Sequence, residues 1–198
     1  MATKIHCTFS NLFSYSQGKP TLRYPELERL ILSQTKPISV QNVRDAVLQL
    51  RGQKSMLLDS EDENHRSVGS FFLNPVLPKE KISNIVEHAL HGGLIQQEQE
   101  LPKYEMGSSY VKLSAAWLIE KSGVQKGQSF GRIGISSKHT LCLVHHGGGT
   151  SRELLRVATW IQQRVMDHFG VWLKPEPNFI GFADSDLQEL FQEKSYFV

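Results

Sequence analysis

Apolar positions recur along this chain at two spacings, and each spacing predicts a kind of element. Stripes at three and four residues mark helices. Behind Ser39 as a cap, Val40, Val43, Ala46, Val47 and Leu50 predict a helix through about Leu50, with Gly52 ending it. Pro78 opens a second, in which Ile82, Ile85, Val86, Ala89 and Leu90 share a face and Gly92-Gly93 stop the run. The clearest stripe is Leu154, Ala158, Ile161, Val165 and Phe169. Thr150 and Glu153 precede it at capping-box spacing, and Gly170 follows at the position that favours a left-handed backbone. Shorter helices are predicted at Tyr24 to Leu30, with Pro25 in the first turn, at Ser114 to Lys121, with Gly123 beyond, and at Asp184 to Lys194.

Strands are predicted where apolar residues alternate or run together. Ile5, Cys7 and Phe9 alternate with polar residues in the opening stretch, so Lys4 to Phe9 reads as a strand. Leu141 to His145 is continuously apolar until its last residue, which predicts a central strand covered on both faces. Gly69-Ser70-Phe71-Phe72-Leu73-Asn74-Pro75 is glycine-bounded and rich in aromatics, and Pro75 ends its pairing. Alternation there puts Ser70, Phe72 and Asn74 on one face and Phe71 and Leu73 on the other, as a pocket wall or as a buried strand whose Ser and Asn satisfy neighbouring loops. Leu94 to Gln99 reads as a short strand, whereas Lys103-Tyr104-Glu105, the acidic run Ser60 to Ser67, and the glycine-rich Lys126 to Gly134 read as loops. Helices and strands interleaved in this order predict an α+β fold, with helices layered on a small mixed or antiparallel sheet.

Composition narrows the class without naming a chemistry. With 39% hydrophobic and 21% charged residues over 198 positions, the chain has the make-up of an ordinary globular protein. A net charge of +2, with basic residues scattered instead of striped, argues against nucleic acid as a partner. Cys7 and Cys142 are the only cysteines, which fits a reducing cytosol better than a disulfide scaffold. No apolar run approaches the roughly 20 residues that span a bilayer.

Candidate chemistry gathers at few positions. Ser70 and Glu176 are the proton-handling candidates, and Arg51, Lys54, Lys126 and Arg132 the anion binders. Glu176 lies between Pro175 and Pro177, which lock its backbone; it reads either as a rigidly held carboxylate or as a salt-bridging surface residue. A serine hydrolase wants G-x-S-x-G and a base histidine, and the run here is Val68-Gly69-Ser70-Phe71-Phe72. Gly147-Gly148-Gly149-Thr150 joins a strand to a helix as a phosphate loop does, yet it lacks the lysine and spacing of that motif and reads first as a tight turn. His88 and His91, without a third ligand in the pattern, do not make a metal site.

Four motifs in order carry a family resemblance: Gly69-Ser70-Phe71-Phe72 with Asn74-Pro75; Ala115-Ala116-Trp117-Leu118-Ile119-Glu120; Gly134-Ile135-Ser136-Ser137-Lys138-His139-Thr140-Leu141; and Phe169-Gly170-Val171-Trp172-Leu173-Lys174-Pro175-Glu176 with Ile180-Gly181. With Thr21 to Leu27 and the helix ending at Arg51, they make the chain from about Thr21 onward resemble the C-terminal, substrate-binding part of MurB, the UDP-N-acetylenolpyruvoylglucosamine reductases. The resemblance implies a FAD- and NADPH-dependent reduction of UDP-N-acetylglucosamine enolpyruvate. Within it Ser70 matches the proton donor, Glu176 the active-site glutamate, Asn74 and Lys54 substrate contacts, and Lys126 a lysine near the diphosphate. Leu73 stands where many members have lysine. The resemblance further implies three segments: 1–20 as the remnant strand of a preceding flavin-binding domain, 21–181 as the substrate-binding domain, and 182–198 as a tail helix. The expectation is therefore half of a split or truncated cytosolic enzyme, inactive without a flavin domain as partner. The alternatives are a non-catalytic UDP-sugar-binding or protein-docking module and a decaying fragment with an exposed former interface.

Overall fold

The computed structural model describes residues 20–34 and 38–191; the opening strand predicted at Lys4 to Phe9 lies outside them. The described residues part into two compact units between Leu50 and Arg51. In the first, helix α1 (Pro25–Leu32) begins with its proline at the N-terminal turn, where a missing N–H costs nothing. Helix α2 (Val40–Gln53) is capped by Ser39, whose hydroxyl accepts from Asn42 N–H at 3.1 Å, and it runs on through Gly52. Leu27, Ile31 and Ala46 are the buried centre of this unit.

The second unit carries the remaining elements. Strand β1 (Ser67–Ser70) pairs antiparallel with β6 (Cys142–His145), and β6 pairs antiparallel with β5 (Ile133–Ile135), giving the order β1-β6-β5. The continuously apolar strand is central, as expected. A second antiparallel sheet, in the order β2-β4-β3, is built from β2 (Val76–Pro78), β3 (Lys103–Met106) and β4 (Tyr110–Leu113). The fold is α+β, with two small antiparallel sheets in place of one.

Helix α3 (Glu80–His91) buries Ile82, Ile85, Val86 and Ala89, while Leu90, expected on that face, is exposed. Ser114 caps α4 (Ala115–Lys121), accepting from Trp117 N–H at 3.3 Å. The long α5 (Ser151–Phe169) has both bonds of the Thr150–Glu153 capping box, and Gly170 closes it in the left-handed conformation. Helix α6 (Asp184–Phe191) packs on α5 through Leu190. Its carbonyl accepts from buried Gln162 Nε2 at 2.8 Å, which also donates to Leu173 O at 2.7 Å. One core runs from Phe71 and Phe72 through α3, α4 and α5 to Leu173.

Three local expectations are overturned. Leu94 to Gln99 is not a strand: it holds a 3-10 turn at Glu98–Glu100. Lys103-Tyr104-Glu105, expected as a loop, belongs to the edge strand Lys103–Met106, with all four residues exposed, because β4 supplies its ladder bonds in place of a buried face. Part of the glycine-rich stretch ends in β5, whose three residues are all buried.

Candidate functional site

Strand β1 is short and irregular, and that irregularity builds the site. Its register slips between Ser67, opposite Val144, and Ser70, opposite Cys142. Gly69 between them has φ +80°, a left-handed backbone that glycine adopts without strain. Beyond the bulge the chain is clasped from both sides. Phe71 N–H donates to Leu141 O at 2.8 Å, while Leu73 N–H donates to Lys174 O and Glu176 N–H donates to Phe71 O, each at 2.9 Å. Phe72 and Pro175 form an isolated antiparallel bridge. Simple alternation is therefore corrected: Phe71 and Phe72 are both 1% exposed, since the segment is covered on both faces after the bulge. Phe71 meets Phe72 and Phe179 edge-on, at ring centroid distances of 5.1 and 6.2 Å.

This clasp brings Glu176 back beside Ser70 from about a hundred residues away. Both line a cleft of about 670 Å³, together with Arg51, Ser55, His65, Val68 and Asn178. The Arg51 guanidinium is steadied by donating to Met56 O at 3.1 Å. Hydroxyl, carboxylate and guanidinium around one half-apolar cleft suit an anionic small molecule whose chemistry moves a proton.

The other sequence candidates lie elsewhere. Asn74 does not share the Ser70 face, because its Oδ1 accepts from Ala115 N–H at 2.9 Å at the start of α4. Lys126 stands 3.5 Å from Glu120, and neither it nor Lys54 lines the cleft. Arg132 donates to Gly148 O at 2.8 Å. At Gly147 to Thr150 the α5 N-terminus is occupied by its own capping box. The Thr150 N–H and hydroxyl hold the Glu153 carboxyl below its ordinary range, so the place a phosphate would take already carries a carboxylate. Among the described residues no three metal-ligating side chains come together.

Ser55 and His65 are among the cleft residues that the sequence did not single out. Ser55 adopts φ +54°, and nothing in a serine announces a left-handed position. His65 sits in the acidic run expected to be a solvated loop, but that run is pinned to the turn between β5 and β6. Buried Asn64 accepts from Ser137 N–H at 3.0 Å and donates to Ser137 Oγ at 3.0 Å, and Asp62 pairs with Lys138 at 2.9 Å. The Asp62 carboxyl is held well below its ordinary range, first by the Ser55 hydroxyl, then by Asn64 N–H, with Lys138 and the Asn64 amide adding to it against the cost of burial. Behind the site, burial pushes the Cys142 thiol up to about 11, which keeps it a neutral core side chain.

A second cleft, of about 720 Å³, lies between α3 and the β2-β4-β3 sheet, lined by Ile82, Val86, Leu90 and Val111 with ion pairs at its edge. It holds none of the proton-handling candidates.

Residues 61–180 match the family described as UDP-N-acetylenolpyruvoylglucosamine reductase, C-terminal domain. The chain is 42% identical over 161 residues to the UDP-N-acetylenolpyruvoylglucosamine reductase of Thermobifida fusca, covering 81% of this chain and 45% of that protein. It is 40% identical over 164 residues to the protein so named in Corynebacterium diphtheriae, covering 82% and 41%, and 38% identical over 165 residues to that of Saccharopolyspora erythraea, covering 82% and 44%. It thus spans less than half the length of these relatives. The stretch that matches is the stretch that builds the Ser70–Glu176 clasp, and by it the chain belongs to the UDP-N-acetylenolpyruvoylglucosamine reductase family, through that family's C-terminal domain.

Proposed function

We propose that this chain is the substrate-binding part of an enzyme that reduces UDP-N-acetylglucosamine enolpyruvate to UDP-N-acetylmuramate, a precursor for peptidoglycan, in the cytosol. The observation that carries this reading is the convergence of Ser70, Glu176 and Arg51 on one cleft through the Phe72–Pro175 bridge. Reduction of an enol ether next to a carboxylate leaves negative charge on the carbon beside that carboxylate, and a proton must reach it. The Ser70 hydroxyl, fixed at the end of β1, is the donor in this scheme. A hydroxyl too weak to ionise at neutral pH still protonates a strongly basic carbanion held in line with it. Glu176, with its backbone fixed by two prolines and by Phe71 O, supports the enol-like state and the return of the proton.

FAD and NADPH belong to this proposal as the source of the hydride. The described residues do not fit them. The one strand, glycine-loop and helix series that could cradle a dinucleotide phosphate has its helix N-terminus filled by Glu153. No step is therefore derived through these cofactors, and we infer that residues outside the described ones hold them. We further propose the segment reading 1–20, 21–181 and 182–198 for the chain, with Asn74, Lys54 and Lys126 contacting substrate outside the Ser70 cleft.

The test is reconstitution. The chain is mixed with a separately expressed flavin-binding domain of a relative, FAD, NADPH and the enolpyruvyl substrate, and NADPH consumption is followed. Turnover that appears on mixing and falls about 10²- to 10⁴-fold in Ser70→Ala is expected for a positioned proton donor. Full turnover in Ser70→Ala overturns the assignment. Tight binding of the nucleotide sugar with no turnover in any mixture favours the non-catalytic module.

A further inference from the structure

Ser55 combines three properties that structural serines rarely share. Its backbone is left-handed, at φ +54°, in a residue that carries a Cβ, and it is the one non-glycine residue with positive φ among the described residues. It is 3% exposed, and its hydroxyl oxygen has no hydrogen-bond partner. It also lines the cleft that holds Arg51, Ser70 and Glu176. A buried, unbonded hydroxyl is costly, and so is the backbone that places it. Glycine would meet the conformational demand without strain, so the hydroxyl needs its own reason.

Asp62 is the alternative reason, because the Ser55 hydroxyl favours its charged form. That carboxylate is nonetheless satisfied without Ser55. Asp62 Oδ1 accepts from Asn64 N–H at 2.9 Å and Asn64 Nδ2 at 3.1 Å, and Lys138 Nζ donates to Oδ2 at 2.9 Å. Ser55 makes no bond of ordinary geometry to it, so its buried hydroxyl oxygen stays without a hydrogen-bond partner. Arg51 supplies the positive charge nearby in sequence, held to the same turn by Met56 O, and Ser55 N–H fixes that turn by donating to Gly52 O at 3.0 Å.

Resting on the reading of the cleft as a nucleotide-sugar site, we infer that Ser55 is a further substrate-binding residue. Its hydroxyl donates to an anionic oxygen, phosphate or carboxylate, that Arg51 neutralises. On this inference the left-handed turn is retained because it places Ser55 in the cleft wall.

Two variants test this, with the chain titrated calorimetrically against UDP-N-acetylglucosamine and against its enolpyruvyl derivative. Ser55→Gly removes the hydroxyl and the strain together, so affinity should fall about tenfold while the Tm rises. Ser55→Ala removes the buried hydroxyl but keeps the backbone strain, so affinity should fall as far with a smaller rise in Tm than in Ser55→Gly. A loss seen with both ligands puts the hydroxyl on the diphosphate; a loss confined to the enolpyruvyl ligand puts it on the carboxylate. Wild-type affinity in Ser55→Gly overturns the inference and leaves the site reading standing. A fall in Tm in Ser55→Gly overturns it in favour of a structural tie to Asp62. If the wild-type chain binds neither ligand, the inference and the site reading fail together.

Discussion

The two sheets of the second unit are the same size and both antiparallel, yet they do opposite jobs. In β1-β6-β5 the strands Ile133–Ile135 and Cys142–Val144 are buried at every residue, the edge strand β1 is bulged, and its continuation Phe71–Leu73 is clasped by Lys174–Glu176. In β2-β4-β3 the edge strand β3 is exposed throughout and is dressed with lysine and glutamate. The first sheet, with the segment bridged to it, holds the two proposed proton-handling residues in place by packing. The second keeps an edge in water with charges that discourage further strand pairing. A precisely placed side chain needs its support buried, and a solvated edge needs only its ladder.

That contrast can be broken most severely at Phe72. Phe72→Ala in the buried clasp is expected to cost about 3–5 kcal/mol in denaturant unfolding, because it empties a fully packed ring site. Tyr104→Ala on exposed β3 should change stability by less than about 0.5 kcal/mol. Equal losses would show that both sheets lean on the core alike. The next effect is at the pinned loop beside the site. Asn64→Ala removes a buried amide and its bonds to the Ser137 N–H and hydroxyl, and should cost about 1–3 kcal/mol, read in the same experiment.

A third prediction uses acid. The folded carboxyl of Asp62 sits below its ordinary value of 3.8, so the unfolded chain binds the extra proton there. Its stabilising contribution is therefore complete above about pH 4 and is lost as the pH falls below that value. Asp62→Asn should lose stability at pH 7 and show a flatter fall between pH 4 and pH 2 in urea unfolding. An unchanged acid limb would remove Asp62 as the loop's acid-sensitive tie. A small effect is also expected beside the second sheet, where Lys79→Ala breaks the ion pair to Glu105 of β3. With both side chains largely in water, it should cost at most about 1 kcal/mol and less in high salt.

The same contrast explains what was legible beforehand. Leu141 to His145 could be assigned as a central strand because burial on two faces leaves no room for polar residues. Thr150 with Glu153 and Gly170 marked both ends of α5, since caps are local chemistry. Lys103 to Met106 gave no such signal: an exposed edge strand has neither a continuous nor an alternating apolar pattern, and its identity comes from β4. Leu94 to Gln99 misled for the converse reason, its apolar pair Leu94-Ile95 packing as the exit from α3.

By itself, then, the chain's order of residues determined the α+β class, the helix ends at Ser114, Thr150 and Gly170, and the motifs that hold Ser70 and Glu176. Those are properties of neighbours in sequence, governed by backbone conformation and local hydrogen bonds. The tertiary structure decided which candidates meet. It joined Ser70, Arg51 and Glu176 across one cleft and tied Asn74 to α4. It also exposed Ser55 as a buried hydroxyl in a strained turn. Those outcomes depend on long-range ladder bonds and on a bulge at Gly69, and neither is carried by any short run of residues.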